Sequence, residues 1–215
     1  MAIVIEAVGS VSDAEVSSVQ FNLNIGTAAN RCWVIATTFG QQGAISSVTV
    51  GSDSLTLSTT LQNSNNKAYA QIWWGTTSLT GTQTVTVSFS SNPKFINCGG
   101  YALSGVDQTT PKLDEQGAAS QAGTTISAPA LSGGAADSLG LDGLYDDNST
   151  SSTSDNTSEW TSTVESTHGH GSSAVGSGPT MGYTSLSSGK DHAISAVLMQ
   201  AASGGGPARR VMVVA

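Results

Sequence analysis

The sequence predicts an all-β protein, a jelly-roll-like antiparallel sandwich with a flexible C-terminal arm. Three observations carry that expectation. Residues 84–90 alternate without a break, with Val85, Val87 and Phe89 on one side and Thr84, Thr86, Ser88 and Ser90 on the other, the period of a strand with one buried face. Further short β patterns follow one another with turn residues at roughly 8–12-residue spacing, as sandwiches and jelly rolls require. No window of useful length shows a helical period with caps, and Gly117 and Gly123 interrupt the loops as well.

In chain order, residues 2–11 are moderately apolar and form an arm or edge strand. Val19, Phe21, Leu23 and Ile25 alternate with Gln20, Asn22 and Asn24 as a half-buried strand. Residues 32–38 are apolar on both faces at first and read as a central strand. Residues 45–50 and 54–60 form two short strands around Gly51. Residues 68–75 carry Tyr69, Ile72, Trp73 and Trp74. After the Val85 strand and Pro93 comes N-C-G-G-Y-A-L-S-G-V-D at 97–107, a strand entered through a glycine pair.

The second half is less regular. Strands are expected at 124–130, 138–145, 158–166, 180–185 and 192–201, with residues 109–114 as a loop or edge segment. Residues 146–156 are nearly all Ser, Thr, Asn and Asp and read as a solvated loop; residues 168–179, rich in Gly and Ser, read as a mobile one. A weak internal echo relates 31–39 to 137–145 and 100–106 to 193–199, as two Greek-key halves of a jelly roll would. The organisation expected is an arm or edge strand over 1–15, one sandwich over 16–202, and a Gly-rich hinge with an apolar arm over 203–215.

Composition narrows the function. Of the 215 residues, 10% are charged, against about 25% in ordinary domains. Yet 38% are apolar, so the chain can bury a core. The net charge of −8 and the absence of a basic stripe disfavour nucleic acid and anionic membranes. The first residues lack the basic and long apolar regions of a secretory signal, and no run approaches the roughly 18 apolar residues that span a bilayer. Synthesis in a cytosol is the expectation. Cys32 and Cys98 open two apolar strands; if those are antiparallel neighbours, the thiols lie at opposite ends and stay free.

The candidate chemistry is sparse. His168 and His170 could share a strand face around a metal, but their Gly/Ser-rich setting favours an exposed loop, and His192 beside Lys190 and Asp191 reads as a turn residue. Asp142, Asp146, Asp147 and Asn148 lack the spacing of a calcium loop. No metal and no cofactor is expected. No Gly-x-Ser-x-Gly elbow occurs. Residues 182–190 have the wrong glycine spacing for a phosphate loop, and Asp191 stands where Ser or Thr should follow the lysine. No catalytic residue is therefore assigned, and an enzyme is not expected. Tyr69, Trp73, Trp74 and Trp160 could form a glycan platform or an interface; adjacent Trp73 and Trp74 must face opposite ways on a strand.

The strings TVTVSFS and GGYALSGVDQTTP at 84–111, with QIWWG before them, resemble a β-sandwich module of bacteriophage virion proteins and some bacterial surface proteins. The resemblance covers most of residues 16–201. A Gly-rich linker before a short Arg-Arg-apolar end is similar to the termini of phage structural proteins. The resemblance implies a capsid decoration or cement protein, made in the host cytoplasm and carried on the virion surface. Its implied partners are the major capsid protein and further copies of itself, as a dimer or trimer. The expected contact residues are Arg209, Arg210, Val211, Met212, Val213 and Val214, with Ala2, Ile3, Val4 and Ile5 as second choice. The alternative is a carbohydrate-binding or adhesin module of a head or tail fibre.

Overall fold

The computed structural model describes residues 2–41, 43–62, 66–120, 123–147 and 152–203. The described residues contain strands and no helix. The first half supplies β1 (Val4–Asp13), β2 (Ser18–Ile25), β3 (Arg31–Gly40), β4 (Ala44–Val50), β5 (Asp53–Ser54), β6 (Thr56–Gln62), β7 (Ala68–Thr77), β8 (Gly81–Ser91) and β9 (Phe95–Ser104). The second supplies β10 (Lys112–Ser120), β11 (Ile126–Ser127), β12 (Leu139–Asp147), β13 (Thr153–Ser154), β14 (Thr157–Val164), β15 (Thr167–Val175), β16 (Gly182–Thr184) and β17 (His192–Met199).

The expected antiparallel sandwich is present, but it is built from four sheets. One five-stranded sheet runs β1-β9-β3-β7-β6 and is faced by a four-stranded sheet, β2-β8-β4-β5. A second five-stranded sheet runs β10-β17-β12-β15-β14 and is faced by a three-stranded sheet, β11-β16-β13. Replacing 1, 9, 3, 7, 6 by 10, 17, 12, 15, 14 converts one large sheet into the other, so the echo of 31–39 in 137–145 is β3 in β12, and that of 100–106 falls on β9 and β17.

Burial explains the stacking. Period-two alternation sends Trp33, Ile35 and Phe39 of β3 towards Val85, Val87 and Phe89 of β8. The intervening Cys32, Val34 and Ala36 point the other way, towards Leu139, Leu141, Val197 and Met199 of the second sheet. On β17, Ile194, Ala196 and Leu198 turn outward onto Ile126, Met181 and Tyr183 of the three-stranded sheet. A strand apolar on both faces is what a central layer needs. β3, β9, β12 and β17 fill that role, and each fully buried Val, Leu or Ile contributes roughly 1.5–3 kcal/mol.

The joint between the five-stranded sheets depends on missing side chains. The Trp160 ring of β14 lies between Gly99 of β9 and Gly171 of β15. A Cβ on Gly99 would stand 2.2 Å from the ring, and one on Gly171 would stand 2.0 Å from its Nε1. This is why residues 168–179, expected as a mobile loop, hold strand β15. The glycines there make room for a neighbour's ring.

Further boundaries differ from expectation. β12 runs on through Asp147, and β13 lies within the expected 146–156 loop. The strand expected at 124–130 shortens to β11, two residues long. Cys32 and Cys98 are buried free thiols on opposite faces of one sheet, five register positions apart, with Thr37 opposite Cys98 and Leu103 opposite Cys32. Burial pushes both thiols up to about 12.

Candidate functional site

The described residues gather their unusual chemistry on one face of the second five-stranded sheet, beneath the three-stranded sheet. Along β12, odd-numbered residues face the first half and even-numbered residues face the small sheet. That alternation puts Asp142 and Asp146 in the outer gap, both fully buried. Neighbouring strands bring partners by register: His168 of β15 and His192 of β17 stand on either side of Asp146 in one row. His170 stands opposite Leu144, one row along on the same face. All three histidines of the chain therefore share this face with a buried carboxylate. Residues 22 and 46 positions from Asp146 in sequence become its immediate neighbours.

Asp142 is well supplied with donors. Its Oδ1 accepts from the Ser172 backbone N–H at 2.6 Å and from Tyr183 Oη at 3.0 Å, and its Oδ2 accepts from Ser172 Oγ at 2.8 Å. Tyr101, reaching across from the first half, donates to the Asp142 backbone carbonyl at 3.1 Å. Burial pushes the Asp142 carboxyl up to about 7, against the pull of the Ser172 and Tyr183 donors. Burial also raises the Tyr101 and Tyr183 hydroxyls well above the usual phenol range, and the Asp142 charge adds to it.

Asp146 is different. Neither carboxylate oxygen has a hydrogen-bond partner. His192 Nδ1 approaches Asp146 Oδ1 to 3.1 Å, both side chains fully buried, yet the pair is not aligned as a hydrogen bond, since Nδ1 is also without one. The other ring nitrogen of His192, Nε2, lies 3.2 Å from the Ser187 carbonyl oxygen. A carbonyl only accepts, so Nε2 carries the hydrogen. In the neutral ring Nδ1 then presents a lone pair to the carboxylate.

The remaining histidines each have one nitrogen on a hydroxyl. His170 Nε2 is 2.7 Å from Ser152 Oγ, and His168 Nδ1 is 3.0 Å from Thr163 Oγ1. Their rings lie 6.1 Å apart, and His170 is 5.8 Å from the Tyr183 ring. Burial lowers His170 to about 4, so it is neutral at physiological pH. Asp147, at the end of β12, is raised by burial, with the Lys190 charge opposing. Thus His168 and His170 are strand residues, not loop residues, and the expected turn residue His192 opens β17 fully buried.

The aromatic candidates take other positions. Trp73 is buried among Trp33 and Leu55 in the first half's outer gap, while Trp74 turns to the opposite face and is half-buried. Tyr69 stacks on Phe39 with ring centroids 4.8 Å apart. Trp73 and Trp74 thus lie on opposite faces of β7, and Trp160 is buried at the joint between the large sheets. Ile3 is buried in the core, and Val4 and Ile5 pair with Ser104 and Leu103 of this chain's own β9. The Ala2 carbonyl packs on Gly105, whose φ of 76° and lack of a Cβ allow the approach. Arg209, Arg210, Val211, Met212, Val213, Val214 and the carboxamide candidate Asn148 lie outside the described residues.

Sequence reasoning missed the Asp146–His192 pair because it depends on the register of three strands. The signal open to it was Gly169 and Gly171 alternating with His168, His170 and Ser172, a period of two that small residues disguise as a loop. No family model, no curated protein and no solved structure matches this chain.

Proposed function

We propose that this chain is a non-enzymatic structural protein of a phage-type particle, a decoration or cement protein that attaches to the outer capsid through its C-terminal arm. The reading is carried by the sequence of the C-terminal end, set beside the docked N-terminal segment. The N-terminal segment is taken up by the chain's own sheet through β1. The body closes at Ala202, whose N–H donates to the Gly105 carbonyl at 2.8 Å. The sequence beyond carries Val211, Met212, Val213 and Val214 after Arg209 and Arg210, an apolar stretch of the kind that partners take up. The partner proposed is the major capsid protein, with identical copies assembled as a dimer or trimer, so that many weak attachments add through multivalency.

The strand order supports this reading by analogy. In each half the first strand lies beside the last, β1 by β9 and β10 by β17, and the second lies beside the next to last, β2 by β8 and β11 by β16. We infer two jelly rolls packed back to back, an architecture of wrapped Greek keys that recurs in capsid and lectin domains. Fold analogy alone does not assign function, and the arm is the testable part. A chain ending at Ser203 should keep its fold and lose capsid occupancy in a particle-binding assay. Full occupancy of the shortened chain would remove the proposal.

A further inference from the structure

We propose that Asp146, His192 and the His168–His170 pair form a binding site for one divalent transition-metal ion of the zinc class, beneath the three-stranded sheet. The starting point is electrostatic. A fully buried carboxylate with no hydrogen bond to either oxygen is an acceptor pair left without a donor. The group facing it is His192 Nδ1, since Nε2 is committed to the Ser187 carbonyl. A nitrogen and a carboxylate oxygen 3.1 Å apart, buried and out of line for a hydrogen bond, are placed as two ligands of one cation are.

The distances suit a metal. Zinc binds imidazole nitrogen and carboxylate oxygen at about 2.0–2.2 Å, which sets neighbouring tetrahedral donors roughly 3–3.5 Å apart. The contact from Nε2 to a backbone carbonyl is the outer support that metal-bound imidazoles commonly have, fixing both tautomer and ring orientation. A nitrogen-rich donor set with one carboxylate favours zinc, cobalt or nickel over calcium or magnesium, which prefer oxygen.

Among the described residues, no three such donors converge as they stand. His168 and His170 are turned to Thr163 and Ser152. Both are on the correct face, His168 directly abreast of Asp146. Rotation about their side-chain torsions, with release of a hydroxyl contact, brings in the remaining donor. The ion would then tie β12, β15 and β17 together at one end of the second half.

The test uses the full chain, stripped with chelator and titrated with Zn²⁺, with Ca²⁺ as control. Native mass spectrometry and calorimetry should show one Zn²⁺ per chain and a raised melting temperature, with no response to Ca²⁺. Asp146→Asn, His192→Gln and the double variant H168A/H170A should each weaken binding tenfold or more. The metal-free circular dichroism and melting of each variant separate lost ligands from lost fold. Co²⁺ in place of Zn²⁺ should give the visible bands of a nitrogen-bound ion in the unaltered chain. Absence of uptake at micromolar Zn²⁺, or uptake unchanged in Asp146→Asn or in the double variant, would overturn the site.

Discussion

The two halves of this chain share a strand order and differ in what fills the gap beneath the smaller sheet. In the first half that gap holds Trp33, Phe39, Trp73 and Phe89 with Val and Ile partners. In the second, Ile126, Leu144, Met181 and Ile194 share the space with Asp142, Asp146 and His192, all fully buried. Strand order therefore does not dictate the chemistry of the gap. A hydrocarbon gap is held by area and tolerates small shifts. A polar gap is held by pairing, and each unpaired atom costs as much as several good contacts supply.

Substitutions can break that contrast. The largest expected effect is in the hydrocarbon gap: Trp33→Ala should cost about 3–5 kcal/mol, read as a loss in denaturant midpoint. At the joint shared by both halves, Gly171→Ala should cost about 1–3 kcal/mol by driving a methyl into the Trp160 ring. Tyr183→Phe, in the polar gap, removes one of three donors from Asp142 and should cost about 1 kcal/mol.

The finest test is the pH dependence of stability. Asp142 has a folded value of about 7, above an unfolded value near 4. The folded chain thus holds this proton more tightly. The stabilising contribution is complete below about pH 4 and is lost as pH rises through about 7. Asp142→Asn should flatten that segment of the stability curve, while Trp33→Ala should lower the curve without changing its slope. A slope unchanged by Asp142→Asn would show that the carboxylate stays ionised on its three donors throughout.

Much of the first half was legible because its outward positions are Ser and Thr and its inward ones are large. Val85, Val87 and Phe89 announce both the strand and its buried face. The second half hid its strands where neighbours demanded glycine, as at Gly169 and Gly171, or where a polar residue faced inward, as at Asp142 and Asp146. Its candidate site was hidden for a further reason. Asp146, His168 and His192 are distant in sequence, and only the register of β12 against β15 and β17 puts them in a row. The echo of β3 in β12 was visible as pattern, but it could not give the four-sheet arrangement in which both strands sit at the centre of five-stranded sheets.

Gly105 receives both ends of the body, with Ala2 packed on its backbone and Ala202 bonded to its carbonyl. The first and last described residues of the body therefore lie side by side. A short bridge between those ends would close the backbone into a ring, so a new opening could be cut in a surface turn with all four sheets preserved.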